Sequence, residues 1–266
     1  MPDSLVKGET TICVVNYKTE ELTRLCLRSI RKRTKAPYKV VVVDNDSGDA
    51  SLEYLRSLDW ITLIERPGEV KQGGSWAHGT ALDIGLDQCD SEFFMAMHSD
   101  TFVRREGWLE EIVAMAENGG ACVGGGKLDL RNPILDFLKK ATDYRLFIKK
   151  RIKKDVKSRF YARTICSLYR TEILNKENLR FAMGVEDGFT CGKKLYYEIV
   201  DRGYMTVVVP EKTMAQYIYH LAHATMVLNP EFTVRTRTEK KFQKKIKQVL
   251  ASREVREIAE DESLDQ

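Results

Sequence analysis

The chain has 266 residues, 43% of them hydrophobic and 31% charged, with a formal net charge of +4; it can bury a substantial core as one large domain or two small ones, and no apolar run approaches the roughly 20 residues of a membrane-spanning helix. Met1 to Thr10 lacks the basic region and apolar stretch of a secretory signal. The six cysteines, at 13, 26, 89, 122, 166 and 191, form no Cys-x-x-Cys pair, so they read as reduced packing residues of a cytoplasmic protein rather than a disulfide or zinc framework.

Thr11 to Val15 reads as a first buried strand, ending at Asn16-Tyr17. Thr19 is placed to cap a helix: Glu20 and Glu21 fall in the first turn, Leu22, Leu25, Cys26 and Ile30 form an apolar stripe, and Arg31-Lys32-Arg33 closes the last turn with cations. Lys39 to Val43 is a β-branched strand that runs into Asp44-Asn45-Asp46-Ser47-Gly48-Asp49. Strand, helix and strand with short connections make a βαβ unit, and hence a mostly parallel sheet. A helix over 51–58, a strand over 61–64, a breaker-rich loop from Arg66 to Gly74 and a helix from Trp76 to Asp87 continue the pattern.

Phe93 to Met97, five apolar residues in a row, is too short for a helix and reads as a buried strand that runs into His98-Ser99-Asp100-Thr101. A helix from Trp108 to Glu117 and a strand from Ala121 to Val123 follow. The second half is less regular. Eleven Lys and Arg face only Asp143 and Asp155 between Lys139 and Arg163, and Ile134 to Lys154 reads as a basic amphipathic helix or a lid. Ala162 to Leu168 is a candidate strand; Phe189 to Asp201 is a helix stopped by Gly203, and Thr206 to Val209 is the next strand. From Phe232 the chain is a charged helix with apolar Phe242, Ile246, Val249, Leu250, Val255 and Ile258, and its acidic end, Glu260 to Gln266, is expected to fray.

In open α/β sheets ligands bind beyond the carboxyl ends of the strands. Asp44 and Asp100 therefore face one crevice, with Asn16 and Tyr17 beside them. Such a crevice could hold a nucleotide: Tyr17 offers a ring for stacking, Asp44 can accept from a base or ribose, and Asp100 can hold a divalent ion that also binds phosphate oxygens. Structural uses compete, because Asp44 and Asp49 suit turns and caps, Glu186-Asp187-Gly188 could be an ordinary turn, and a histidine on an apolar strand is commonly a hydrogen-bonded core residue. His220 and His223 lie close together in a chain with four histidines, which favours a ligand role for at least one.

Taken together, Thr11–Tyr17, Val41 to Asp49, His78-Gly79-x-x-x-Asp83-x-Gly85, Met97 to Thr101, Val185-Glu186-Asp187-Gly188 and Tyr219 to Thr225 resemble, in this order and spacing, a family 2 glycosyltransferase. The resemblance implies a GT-A fold: an α/β, Rossmann-type, mostly parallel sheet flanked by helices, here with a C-terminal helical tail. It implies a domain over 1–228, with a nucleotide-binding half at about 9–126 and an acceptor half at about 127–228, and a charged helical extension over 229–266. Asn16, Asp44 and Asp83 would hold the nucleoside, and Ser99 and Asp100 would end the metal motif. The substrate-binding set is Asn16, Tyr17, Asp44, Asp46, His78, Asp83, His98, Ser99 and Asp100. Asp187 would be the catalytic base supported by Glu186, and Asp100 with His220, or its rival His223, would bind Mn²⁺ or Mg²⁺. His98 stands where the family usually has the first Asp of the metal motif, and Asp83 where Asn is common.

The implied reaction is an inverting, metal-dependent transfer of sugar from a UDP-, dTDP- or GDP-linked donor to a hydroxyl of a surface polysaccharide or lipid-linked saccharide. The stretch 139–163 could touch an anionic membrane on its inner face, each cation contributing about 1 kcal/mol. Nucleic acid is not indicated, since stacking aromatics are not interleaved with the basic cluster. A sugar-nucleotide nucleotidyltransferase is the enzymatic alternative, but Asn16-Tyr17-Lys18-Thr19 stands where that class has a Gly-rich triphosphate loop. A non-catalytic nucleotide- or sugar-binding protein is the alternative from another class.

Overall fold

Unbroken runs of β-branched residues such as Val40 to Val43 are stable where both faces of a strand are covered. The computed structural model describes residues 4–68, 74–126, 128, 159–222, 224–229 and 236–266, and these runs form the middle of a sheet. Its strands are β1 (Val6–Asn16), β2 (Tyr38–Asp44), β3 (Thr62–Glu65), β4 (Ser91–His98), β6 (Cys122–Gly125), β7 (Cys166–Arg170) and β8 (Thr206–Val209), in the order β3-β2-β1-β4-β7-β6-β8. β1 pairs in parallel with both β2 and β4, and β2 with β3. β7 runs antiparallel to β4 and β6, so the sheet is mixed around a parallel half.

Side chains alternate across the sheet with period two. Ile12, Val14, Val40, Val42, Phe93, Met95 and Met97 join one core with α1 (Glu20–Arg33), α2 (Ala50–Arg56) and α4 (Trp108–Glu117). Cys13, Val15, Val41, Val43, Phe94 and Ala96 join the other, under α3 (Gly74–Asp87) and the helix Lys193–Asp201. All six cysteines are buried and unbridged. Among the described residues no helix is long and apolar enough to cross a membrane.

Several expectations change. A second, two-stranded sheet pairs β5 (Thr101–Val103) with β9 (Ile218–His220), and the short helices Thr171–Lys176 and Glu211–Tyr217 were not evident from periodicity. The helix expected from Phe189 begins at Lys193, because Gly188 and Gly192 take positive φ values of 80° and 71° that hold the preceding segment in turns. The helix expected over 134–154 lies outside the described residues. The acidic C-terminal end does not fray. Asp265 accepts from Arg28 Nε at 2.9 Å and Tyr54 Oη at 2.8 Å, and the Arg28 side chain is only 4% exposed. Ile246, Val255 and Ile258 then pack with Leu22 and Leu25 of α1.

The two glycines of the His78-Gly79-x-x-x-Asp83-x-Gly85 segment have steric reasons. A Cβ on Gly85 would overlap Cys13 Sγ, and one on Gly79 would lie 2.9 Å from Ala182 Cα. Both allow α3 to approach closely, on one side the sheet and on the other the segment before Glu186. Gly85→Ala is expected to lower stability by about 1–3 kcal/mol, measured by urea unfolding. Gly74→Ala, with open space around it, should stay within about 0.5 kcal/mol.

Candidate functional site

The parallel strands β1, β2 and β4 end on one edge, with Asn16 opposite Asp44 and Val15 opposite His98. Asn16 is fully buried, and its Nδ2 donates to Asp44 Oδ1 at 2.6 Å while its Oδ1 accepts from Thr23 Oγ1 at 2.7 Å. Asp44 also accepts from the Ser47 amide at 3.0 Å through Oδ2. Asn16 thus fixes the carboxylate of Asp44. Tyr17 is half-buried beside Lys18, whose Nζ stands 5.1 Å from the ring centre, and Asp46 is exposed at a φ of 59°. Thr19 precedes α1 without a side-chain capping bond; its hydroxyl instead lies 3.3 Å from Ser99 Oγ. Asp49 caps α2 by accepting from the Ser51 amide.

The second sheet supplies what β4 alone cannot. Thr101 pairs with His220, and the Leu221 amide donates to Asp100 O at 2.9 Å, so the late histidine is carried to the end of β4. His220 Nε2 lies 3.3 Å from Asp100 Oδ1, and His98 Nδ1 lies 3.7 Å from the same oxygen. His98 Nε2 meets Thr164 Oγ1 at 3.2 Å, and the His78 ring, from α3, stands edge-on to His98 with centroids 4.7 Å apart. Among the described residues, Asp100 Oδ1, His78 Nε2 and both ring nitrogens of His220 are buried without a hydrogen-bond partner. Such orphaned atoms are costly unless something else occupies their lone pairs.

Burial works against ionisation of Asp100, but the imidazoles of His220 and His98 outweigh it and hold the carboxyl well below the usual carboxylate range. Burial, helped by His98, pushes His78 down to about 3, so that ring is neutral at physiological pH. One donor atom from each of His98, Asp100 and His220 lies within 4.8 Å of the others, a donor set that fits a divalent cation. These residues and His78 line a cleft of about 390 Å³ whose wall includes Arg163, Tyr161 and Thr190.

Glu186 and Asp187 are exposed on a turn between Gly184 and Gly188, both at positive φ. They line a separate depression of about 310 Å³ with Trp76 and Met183. The start of α3 divides the two hollows, sending Ser75 to the first and Trp76 to the second. Asp83 lies on α3 and is engaged by the polypeptide backbone. Its carboxylate accepts from the amides of Phe181 at 2.6 Å and Ala182 at 3.1 Å, which ties the turn to α3. His223 lies outside the described residues, as do residues 139–158 of the basic stretch.

The sequence matches the model of Glycosyl transferase family 2 over residues 11–177, more than half of its length. The chain belongs to glycosyl transferase family 2. Glycosyltransferase AglE of Haloferax volcanii is 25% identical over 167 residues, which are 62% of this chain and 53% of that protein. The chain therefore spans about half the length of the curated relative it matches. Among solved structures, S. aureus TarS 1–349 superposes with a TM-score of 0.53 at 16% identity, over 88% of this chain and 69% of that one. The mannosyltransferase PcManGT from Pyrobaculum calidifontis, in complex with GDP-Man and Mn²⁺, superposes with a TM-score of 0.55 at 15% identity, over 97% and 75%. At these identities the likeness concerns the fold, which is GT-A.

Two participants escaped sequence reasoning. Thr164 meets His98, and buried Arg66 donates to Asn45 Oδ1 at 2.8 Å while its amide donates to Asp44 O at 3.0 Å. An arginine directly after a strand end is the sequence signal that could have marked Arg66.

Burial raises the Asp83 carboxyl to about 6, against the pull of the two amides. Its unfolded value is about 3.9, so the folded chain holds a proton that the unfolded chain has released between these values. Stability relative to Asp83→Asn is accordingly expected to fall as pH rises from about 4 to about 6 and to level off above, read from urea midpoints. Hydrogen exchange at Phe181 and Ala182 should accelerate about tenfold or more in Asp83→Ala at pH 7.

Proposed function

We propose that this protein transfers a sugar from a nucleotide-diphosphate sugar to a hydroxyl acceptor, with inversion at the anomeric carbon. The observation that carries this reading is the buried Asp100, its Oδ1 unpartnered among the described residues, converging with His98 and His220 at the sheet edge shared with Asp44, in a chain of family 2.

Asp44, braced by Asn16, accepts from the base or ribose, and Tyr17 offers a stacking face. Arg163, on the wall of the cleft, faces the negative charge of the diphosphate. Asp100, His98 and His220 would hold Mn²⁺ or Mg²⁺, which supplies charge stabilisation to the departing diphosphate as a Lewis acid. Asp187, supported by Glu186, takes the proton from the acceptor hydroxyl as its oxygen bonds to the anomeric carbon and the bond to the diphosphate oxygen breaks. Attack from the face opposite the leaving group inverts the centre. Because Asp187 lines a separate hollow from Asp100, the step requires the acceptor to reach across the start of α3.

The donor half corresponds to about 9–126 and the acceptor half to about 127–228, with 229–266 as a helical extension. The acceptor is a surface polysaccharide or lipid-linked saccharide, a reading supported by the basic stretch 139–163, which would meet an anionic membrane from the cytoplasmic side. A non-catalytic nucleotide- or sugar-binding protein is the second reading, favoured by the separation of Asp187 from the cleft.

Calorimetric titration with UDP, dTDP and GDP, with and without Mn²⁺, tests the donor site. One diphosphate should bind more tightly with Mn²⁺ and lose that gain in Asp100→Ala; no binding of any of the three would overturn the donor reading. Asp187→Asn should slow transfer by about 10²–10⁴ while leaving donor affinity nearly unchanged. Equal losses of affinity and turnover would remove Asp187 from the role of base.

A further inference from the structure

A divalent ion in a nucleotide-dependent enzyme can be held in two ways. Mg²⁺ keeps oxygen ligands in near-ideal octahedral geometry and is usually bound by one or two carboxylates together with the substrate's phosphates, so the protein alone holds it weakly. Imidazole ligands instead favour first-row transition ions, with affinity rising from Mn²⁺ toward the later members of the row.

The cluster here is of the second kind. Two imidazoles, His98 and His220, and one carboxylate, Asp100, converge from β4, β9 and the segment between β4 and β5. Two donors each about 2.1 Å from a common ion stand roughly 3.0–3.5 Å apart. His220 Nε2 and Asp100 Oδ1 are 3.3 Å apart, and His98 Nδ1 is 3.7 Å from that oxygen. The contact of His98 Nε2 with the Thr164 hydroxyl leaves Nδ1 as the nitrogen turned toward Asp100, and metal-bound histidines are commonly oriented by such a bond on the other nitrogen. The edge of the His78 ring confines the same imidazole. Among the described residues both Asp100 Oδ1 and His220 Nε2 are buried without hydrogen-bond partners, as donors awaiting a shared ion would be.

We propose that His98, Asp100 and His220 form a preassembled site that takes up a first-row transition dication without nucleotide and discriminates against Mg²⁺, with His98 as the residue that sets this selectivity and Thr164 as its positioning residue. The proposal rests on reading the cluster as the metal site of the transfer reaction, but its first test needs no sugar donor.

The full chain, stripped of metal, is titrated with Co²⁺ alone and followed by visible d–d absorption. The bands should saturate at a single equivalent, be abolished by Zn²⁺, and survive about a hundredfold excess of Mg²⁺. In His98→Asp the ratio of Co²⁺ to Mg²⁺ affinity should fall at least about tenfold. Thr164→Val, which keeps all three donors, should weaken Co²⁺ binding by about tenfold and shift the band positions. Circular dichroism confirms that each variant is folded. Absence of Co²⁺ binding without nucleotide, displacement by Mg²⁺ at comparable concentration, or an unchanged ratio in His98→Asp would each overturn the proposal. Calorimetry with UDP and GDP separates this failure from that of the functional reading. Nucleotide binding together with no Co²⁺ uptake in the absence of nucleotide overturns the preassembled site and keeps the transferase, whereas ion uptake with no nucleotide binding keeps the site and overturns the transferase.

Discussion

The cleft depends on β1 being paired in parallel on both of its edges. Hydrogen bonds to β2 and β4 put Asn16 opposite Asp44 and Val15 opposite His98, so three strand ends reach one edge in a fixed register. A shift of one residue in either pairing would turn every side chain of the displaced strand to the opposite face. The alternation of Ile12 and Val14 into one core with Cys13 and Val15 into the other holds that register by burial on both faces. Rigid placement of Asp44 and Asp100 therefore follows from apolar packing several residues away.

The polar site is built at a cost that the core must offset. Each buried polar atom without a partner costs on the order of 1–3 kcal/mol, and several such atoms crowd around Asp100. By contrast, Asn16, Asp44, Ser47 and Thr23 bind one another, and Asp83 engages two amides.

Much of this was legible in the residues. The apolar runs ending in Asn16, Asp44 and His98 announced strands of a parallel sheet, because continuous β-branched stretches need cover on both faces. The histidines at 78, 98 and 220 stood in segments already marked by their resemblance to family 2 glycosyltransferases. The meaning of Asp83 was not legible. The resemblance implied a nucleoside contact for it, and nothing local announced that the close approach allowed by Gly79 brings the amides of Phe181 and Ala182 to its carboxylate. The C-terminal end was misjudged for a related reason: a run of acids looks solvated until Arg28, nearly buried on α1, presents a guanidinium to it.

The sequence by itself determined the parallel half of the sheet, its two-sided core and the edge on which polar residues collect, since periodicity and burial are properties of neighbouring residues along the chain. Only the tertiary structure decided which of those residues meet. Pairing of β5 with β9 joins Thr101 to His220 across more than a hundred intervening positions, and no local pattern encodes the partner of a three-residue strand. The division of the carboxylates was decided in the same way: Asp100 lies with the histidines, and Asp187 on an exposed turn beyond α3. Both outcomes depend on backbone contacts between distant segments, which are set by the packing of the whole core.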